Sequence, residues 1–136
     1  MSGEAASVSR PQSFLAFDFS LRRVGVASGN TLTGCAQPLT TLRVEGEARF
    51  DAIGALITAW RPDALVVGVP RHPDGAGHDN TGRALRFARR LHGRFGLPVH
   101  EVDERWTTTA AAEAGARDLD AAAAALILEQ FLGESR

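Results

Sequence analysis

The sequence has 136 residues, 44% hydrophobic and 23% charged, the ordinary balance of a soluble globular chain with room for one core. Its net charge of −1 lacks the basic excess that advertises many nucleic-acid binders, although the distribution of charge matters more than the sum. The single Cys35 excludes an internal disulfide and points to a reducing cytoplasm, and no apolar run approaches the roughly 18 residues that a membrane span needs. All 15 basic residues are Arg, a compositional bias that says little about partners by itself.

Residues 1–12 have no apolar core, do not form a signal peptide and read as a flexible tail, which leaves 13–136 as a single domain. Ser13–Phe19 reads as a buried strand, and Arg23–Ser28 as its hairpin partner, with a turn at Gly29-Asn30. A third strand is expected within Leu32–Leu42, where Cys35 reads as a packed core residue and Pro38 implies an edge position or a bulge. In Glu45–Trp60 the residues Phe50, Ile53, Leu56, Ile57 and Trp60 recur at threes and fours, so this is a helix with Trp60 in the core. Ala64–Val69 is a continuous apolar run of the kind buried on both faces of a parallel sheet. A turn-rich loop, Pro70–Asn80, leads to a helix over Thr81–Phe95 capped by Gly96. Its apolar stripe is Ala84, Ala88, Leu91 and Phe95; its basic stripe is Arg83, Arg86, Arg90 and Arg94. Leu97–Val102 is a further strand, Thr107–Ala116 is helix-prone, and Leu119–Leu132 is an Ala-rich helix. The order β-β-β-α-β-α-β-α predicts an α/β fold: a mixed sheet of about five strands, three antiparallel and then parallel crossovers, flanked by helices.

Asp18 lies inside the most strand-like apolar run, where an unpaired carboxylate costs several kcal/mol. Glu104, with Asp103 beside it, ends the last strand, and Asp120 starts the last helix. Sites in open α/β sheets form at the carboxyl ends of strands, and carboxylates gathered there repel unless a cation lies between them. Oxygen ligands of this type suit Mg²⁺ or Mn²⁺. Plain structural roles compete: Asp18 can pair with Arg22 or Arg23, Glu104 with Arg105, and Asp120 can cap its helix. Asp118 competes with Asp120, but residues two apart on a helix do not face the same way.

Blocks of sequence in order carry a family resemblance: FLAFDFSLRRVGVA, ALVVGVPRHPDG, LPVHEVDERWTT and DLDAAAAALILEQFL. They resemble the YqgF/RuvX family of pre-16S rRNA nucleases, also described as Holliday junction resolvase-like, with a ribonuclease H-like fold; the likeness runs from Phe14 to Leu132. The resemblance implies an acidic triad of Asp18, Glu104 and Asp120, with Asp103 open as an alternative to Glu104, and a loop near the site at Pro70, Asp74 and Gly75. The sequence departs from the family pattern at Ser20, commonly Gly, at His72, often Asn, and in a short stretch between Thr109 and Asp120.

The expected activity is metal-dependent phosphodiester hydrolysis, with Mg²⁺ or Mn²⁺ on the three acids and no covalent intermediate. Arg22, Arg23, Arg71 and Arg105 are candidate phosphate ligands, Thr107 belongs to the same block as Arg105, and Arg83, Arg86 and Arg90 can extend the grip along a nucleic-acid backbone. His72 or His78 can assist proton transfer, and Trp106 can stack on a base. Expected partners are nucleic acid (pre-rRNA, or branched or single-stranded DNA) and ribosomal particles, for a monomer or weak homodimer in the cytoplasm. Two other readings are a junction resolvase, which needs a dimer to cut two strands symmetrically, and an RNA-binding ribosome assembly factor that does not cut.

Overall fold

The computed structural model describes residues 11–70, 78–104 and 119–134, with positions 78–80 and 104 as backbone. Five strands, β1 (Ser13–Phe19), β2 (Val24–Asn30), β3 (Ala36–Leu42), β4 (Ala64–Pro70) and β5 (Val99–Glu104), form one sheet in the order β3-β2-β1-β4-β5. The pairs β1·β2 and β2·β3 are antiparallel, and β1·β4 and β4·β5 are parallel, which is the mixed sheet expected. Helices α1 (Glu47–Trp60), α2 (His78–Phe95) and α3 (Leu119–Glu134) complete the described residues. None of these helices is long and apolar enough to cross a membrane.

The period of two sorts the residues of each strand onto two faces. On one face Leu15, Phe17, Val24, Val26, Leu65 and Val67 pack with Phe50 and Ile53 of α1 and with Phe87, Ala88 and Leu91 of α2. Phe87, absent from the expected stripe, is the centre of this core: the rings of Phe17, Phe19 and Phe50 lie 6.1, 4.9 and 5.9 Å from it. On the other face Phe14, Ala16, Ala64, Val66 and Val102 pack with Ile127, Leu128 and Leu132 of α3.

Strand β2 alternates large and small. Val24 and Val26 face α1 and α2, while Ala27 meets Ala124 and Ala125 of α3. Gly25 and Gly29 lie in phase with Ala27, and a Cβ on Gly29 would come within 2.9 Å of Leu128 Cδ2. The alanine run of α3 therefore lies in a shallow trough of small residues, close to the sheet.

Several boundaries shift. The second strand runs on through Gly29 and Asn30, expected as a turn, because both still pair with β1. The reversal comes at 31–35, where Asn30 Oδ1 accepts from Thr33 N at 2.9 Å. Cys35 lies in that reversal and is exposed rather than packed in the core. Strand β3 is an edge strand, and its pairing steps from Thr40 to Pro38 between Val26 and Ala27, so Leu39 is the extra residue of a bulge. Trp60 is 44% exposed, because it ends α1 one turn beyond the last residues that reach the core. Helix α1 stops at Arg61 in the left-handed region, with Pro62 next, and α2 ends at Gly96, also left-handed. Gln12, expected at the end of a free tail, exchanges hydrogen bonds of 2.9 Å with Thr31. The expected helix Thr107–Ala116 lies outside the described residues.

Candidate functional site

Asp18 is half-buried on the α3 face of the central strand, two residues beyond Ala16. Its cross-strand neighbours are Gly25 on β2 and Gly68 on β4, and Gly68 in turn pairs with Val102 on β5. A single row thus reads Gly25, Asp18, Gly68, Val102, with a glycine in register on each side of Asp18.

The space over Gly25 is filled from above. A Cβ there would lie 1.9 Å from the carbonyl oxygen of Asp120 and 2.8 Å from the amide nitrogen of Ala121. No side chain fits, so glycine is what lets the first turn of α3 sit on β2. Asp18 and Asp120, 102 positions apart in sequence, become neighbours through that one residue. The Asp120 carboxylate is 24% exposed, and Arg23 Nε lies 2.9 Å from its Oδ2. Arg23 and the helix N-terminus both put positive charge beside it. Arg23, considered from sequence as a partner of Asp18, forms this ion pair with Asp120.

Position 104 is the last of β5, in register with Pro70. Asp103 pairs with Val69, and its carbonyl accepts a hydrogen bond from Gln130 Nε2 at 3.2 Å. Among the described residues no three His, Cys, Asp or Glu side chains gather, and the side chain at 104 lies outside the description. The two acids that are described are oxygen donors of the kind Mg²⁺ and Mn²⁺ prefer, beside a strand position without a Cβ at Gly68. This donor set fits a hard divalent ion.

The hairpin turn after Asp18 is tied by Ser20, whose hydroxyl donates to the Arg23 carbonyl at 2.8 Å. Ser20 is not among the positive-φ residues, so this backbone makes no demand for the family's glycine. Arg22 is exposed in that turn. Arg83, Arg86 and Arg90 belong to α2 and so lie across the sheet from Asp18 and Asp120. Arg94, grouped with them in the sequence, is paired: its Nη1 lies 2.6 and 2.7 Å from the two Glu47 oxygens, and its Nη2 lies 3.0 Å from Asp51 Oδ1. Arg71, His72, Asp74, Gly75, Arg105, Trp106, Thr107 and Asp118 lie outside the described residues, as does the side chain of His78.

Sequence reasoning missed Gly25 and Gly68 as residues that shape the site, and missed Arg49. The signal for Gly25 was the alternation of large and small in VGVASG. Arg49 carried no signal, because an arginine next to Phe50 on an amphipathic helix reads as surface.

The profile of the family RuvX, described as Holliday junction resolvase, matches residues 12–134. A protein of Albidiferax ferrireducens is 64% identical over 89% of this chain and 78% of its own, and one of Polaromonas sp. is 60% identical over 89% and 88%. One of Burkholderia vietnamiensis is 49% identical over 98% and 95%; all three bear the name "Putative pre-16S rRNA nuclease". Among solved structures, RuvC of Thermus thermophilus in complex with a Holliday junction superposes with a TM-score of 0.56 at 16% identity, covering 91% of this chain and 95% of that one. The fold is therefore the one the sequence blocks resemble, a RuvC-type, ribonuclease H-like sheet.

Proposed function

Because the chain belongs to the RuvX family, we propose that it is a metal-dependent nuclease that hydrolyses phosphodiester bonds, acting in 5′-end maturation of pre-16S rRNA. The observation that supports this most is the seating of Asp120 over Gly25, beside Asp18, at the carboxyl end of the central strand. A protein that only bound phosphates would gain nothing from carboxylates brought together there.

In this reading Asp18, Asp120 and Glu104 hold Mg²⁺ or Mn²⁺. Strand alternation favours Glu104 over Asp103, because His100 and Val102 meet α3 and position 104 continues their phase. When bound, the ion supplies an activated water and offsets charge on the leaving oxygen. Arg23, 2.9 Å from Oδ2, would orient the Asp120 carboxylate for such an ion. Arg22 stands in the exposed turn beside the acids, where a fork of donors suits a phosphate. Arg71 and His72 follow Pro70, and Arg105 and Thr107 follow Glu104, so the reading gives them the flanking phosphates. The protein works in the cytoplasm, as a monomer or weak homodimer, on pre-rRNA within ribosomal particles.

The test compares wild type, Asp18→Asn and Asp120→Asn on a pre-16S fragment, single-stranded RNA, linear DNA and a four-way junction, with Mg²⁺, Mn²⁺ or EDTA. Wild type is expected to cut RNA only with metal, and each variant to lose at least about 100-fold, more than a supporting residue alone would cost. A pure, folded wild type that cuts nothing overturns the reading. Preference for the junction replaces rRNA with branched DNA.

A further inference from the structure

On the face of the sheet away from Asp18, a cleft of about 210 Å³ is lined by Phe19, Leu21, Gly46, Phe50 and Phe87 and by the arginines Arg49, Arg83, Arg86 and Arg90. Among the described residues no carboxylate is in that lining. Arg83, Arg86 and Arg90 follow at three and four on α2, so they share one stripe. The Arg90 guanidinium stacks 4.4 Å above Phe50, and that of Arg49 lies 5.5 Å from Phe19.

Arg49 is 6% exposed, and its position is built. Its Nε donates to the Val44 carbonyl at 3.0 Å and its Nη2 to the Leu21 carbonyl at 2.8 Å. Those partners fix the fork without neutralising it. Burial lowers the Arg49 pKa from its ordinary value, and only part of this is returned by the charge of Glu45. Arg94, one turn along α2, shows what a structural arginine looks like here, with Glu47 and Asp51 both upon it. The four cleft arginines have no such ion pair among the described residues. Like charges crowded on an aromatic floor repel, and an anion among them removes that cost.

We infer that this cleft is a phosphate subsite, which takes a backbone phosphate of the strand whose scissile bond lies at Asp18 and Asp120. The connection between the two sites is the chain itself. Phe19 in the cleft directly follows Asp18, Leu21 holds Arg49, and Arg23 holds Asp120. The turn Ser20–Arg23 thus touches both faces, and a strand crossing the end of β1 over that turn meets Arg22 on the way. The inference rests on the nuclease reading for the identity of the strand. It does not need the strand to be cut.

The experiment therefore measures binding in EDTA. A labelled single-stranded RNA of about 12 nucleotides, within the span of small single-strand sites, is titrated with wild type, the double variant Arg83→Gln/Arg86→Gln, and Arg94→Gln as a control on the same helix. Both α2 positions reach solvent, so the double variant keeps its fold, which its circular dichroism checks. The double variant is expected to bind about 10-fold more weakly at low salt, with the slope of log K against log salt shallower by about 0.7 to 1.4, since each phosphate contact on a single strand is worth ~0.7. Arg94→Gln is expected to bind within about twofold of wild type with the slope unchanged. Equal affinity and slope in the double variant overturns the subsite, as does an equal loss in Arg94→Gln. Inorganic phosphate separates the sources: a melting-temperature gain in phosphate that the double variant loses, with strand affinity intact, assigns the cleft to a free anion and overturns the strand subsite. A protein that cuts nothing but shows the altered slope keeps the cleft and loses the nuclease reading; active protein with an unmoved slope does the reverse.

Discussion

Asp18 stands on the central strand between two glycines. Gly25 and Gly68 flank it in register, and Gly25 is also the seat of Asp120. One missing Cβ thus does two things, leaving room beside the first acid and admitting the second. A Cβ 1.9 Å from a helix carbonyl cannot be absorbed by a rotamer, because backbone does not swing aside. Gly25→Ala should therefore push the start of α3 off β2. The expected cost is about 1–3 kcal/mol of stability, the usual range for overpacking, together with loss of metal-dependent cutting. Chemical denaturation and the same RNA assay check both. Ala at 25 with full activity and unchanged stability would mean that α3 shifts freely, and that the position of Asp120 is not set by the strand beneath it. The Arg23–Asp120 pair carries less weight, since Arg23 is 49% exposed and such surface pairs contribute about 0–1 kcal/mol.

At the scale of elements, hydrophobic periodicity made every described strand and helix legible, and the ends were where it failed. Ser13–Phe19 was readable to the residue, because a run of Phe and Leu ends at polar Ser20. Gly29-Asn30 looked like a turn because composition cannot show that β1 has partners left to pair with. Trp60 and Cys35 looked buried because apolar character says nothing about whether an element has run past its neighbours. The acids proposed for the site stand out in the sequence, as charged residues at strand ends and helix starts. Its glycines were not, because a glycine signals a close approach only once the approaching element is known. Phe87 is the sharpest case for α2. It fell between the expected apolar and basic stripes, yet the rings of Phe17, Phe19 and Phe50 surround it. Phe87→Ala is expected to cost about 3–5 kcal/mol, as for other buried aromatics, read from the denaturant midpoint at unchanged m-value. A loss under ~1 kcal/mol would mean that α2 is held elsewhere, for instance by the pairs of its Arg94 with Glu47 and Asp51 of α1.

Across the whole molecule, the proposed metal ligands come from distant parts of the chain: Asp18 from the central strand, Glu104 from the edge strand β5 and Asp120 from α3. No short segment carries all three, so the unfolded chain has no comparable site, and binding energy becomes folding energy. Ion at a hundred times its dissociation constant would stabilise the native state by about 2.7 kcal/mol. In a domain of this size that is a rise in melting temperature of roughly 10 °C. Wild type should show a rise of this kind in Mn²⁺ or Mg²⁺, while Asp18→Asn and Asp120→Asn should melt at the same temperature with and without the ion. The comparison is independent of substrate. A rise of equal size in both variants would place the ion elsewhere and remove Asp18 and Asp120 from its ligands. A rise in wild type alone, with no cutting of any RNA or DNA, would keep the metal site and move the search to the substrate. A cation held among strand, edge and helix would tie α3 to the sheet at the end where Arg23 and the small residues of β2 already meet it.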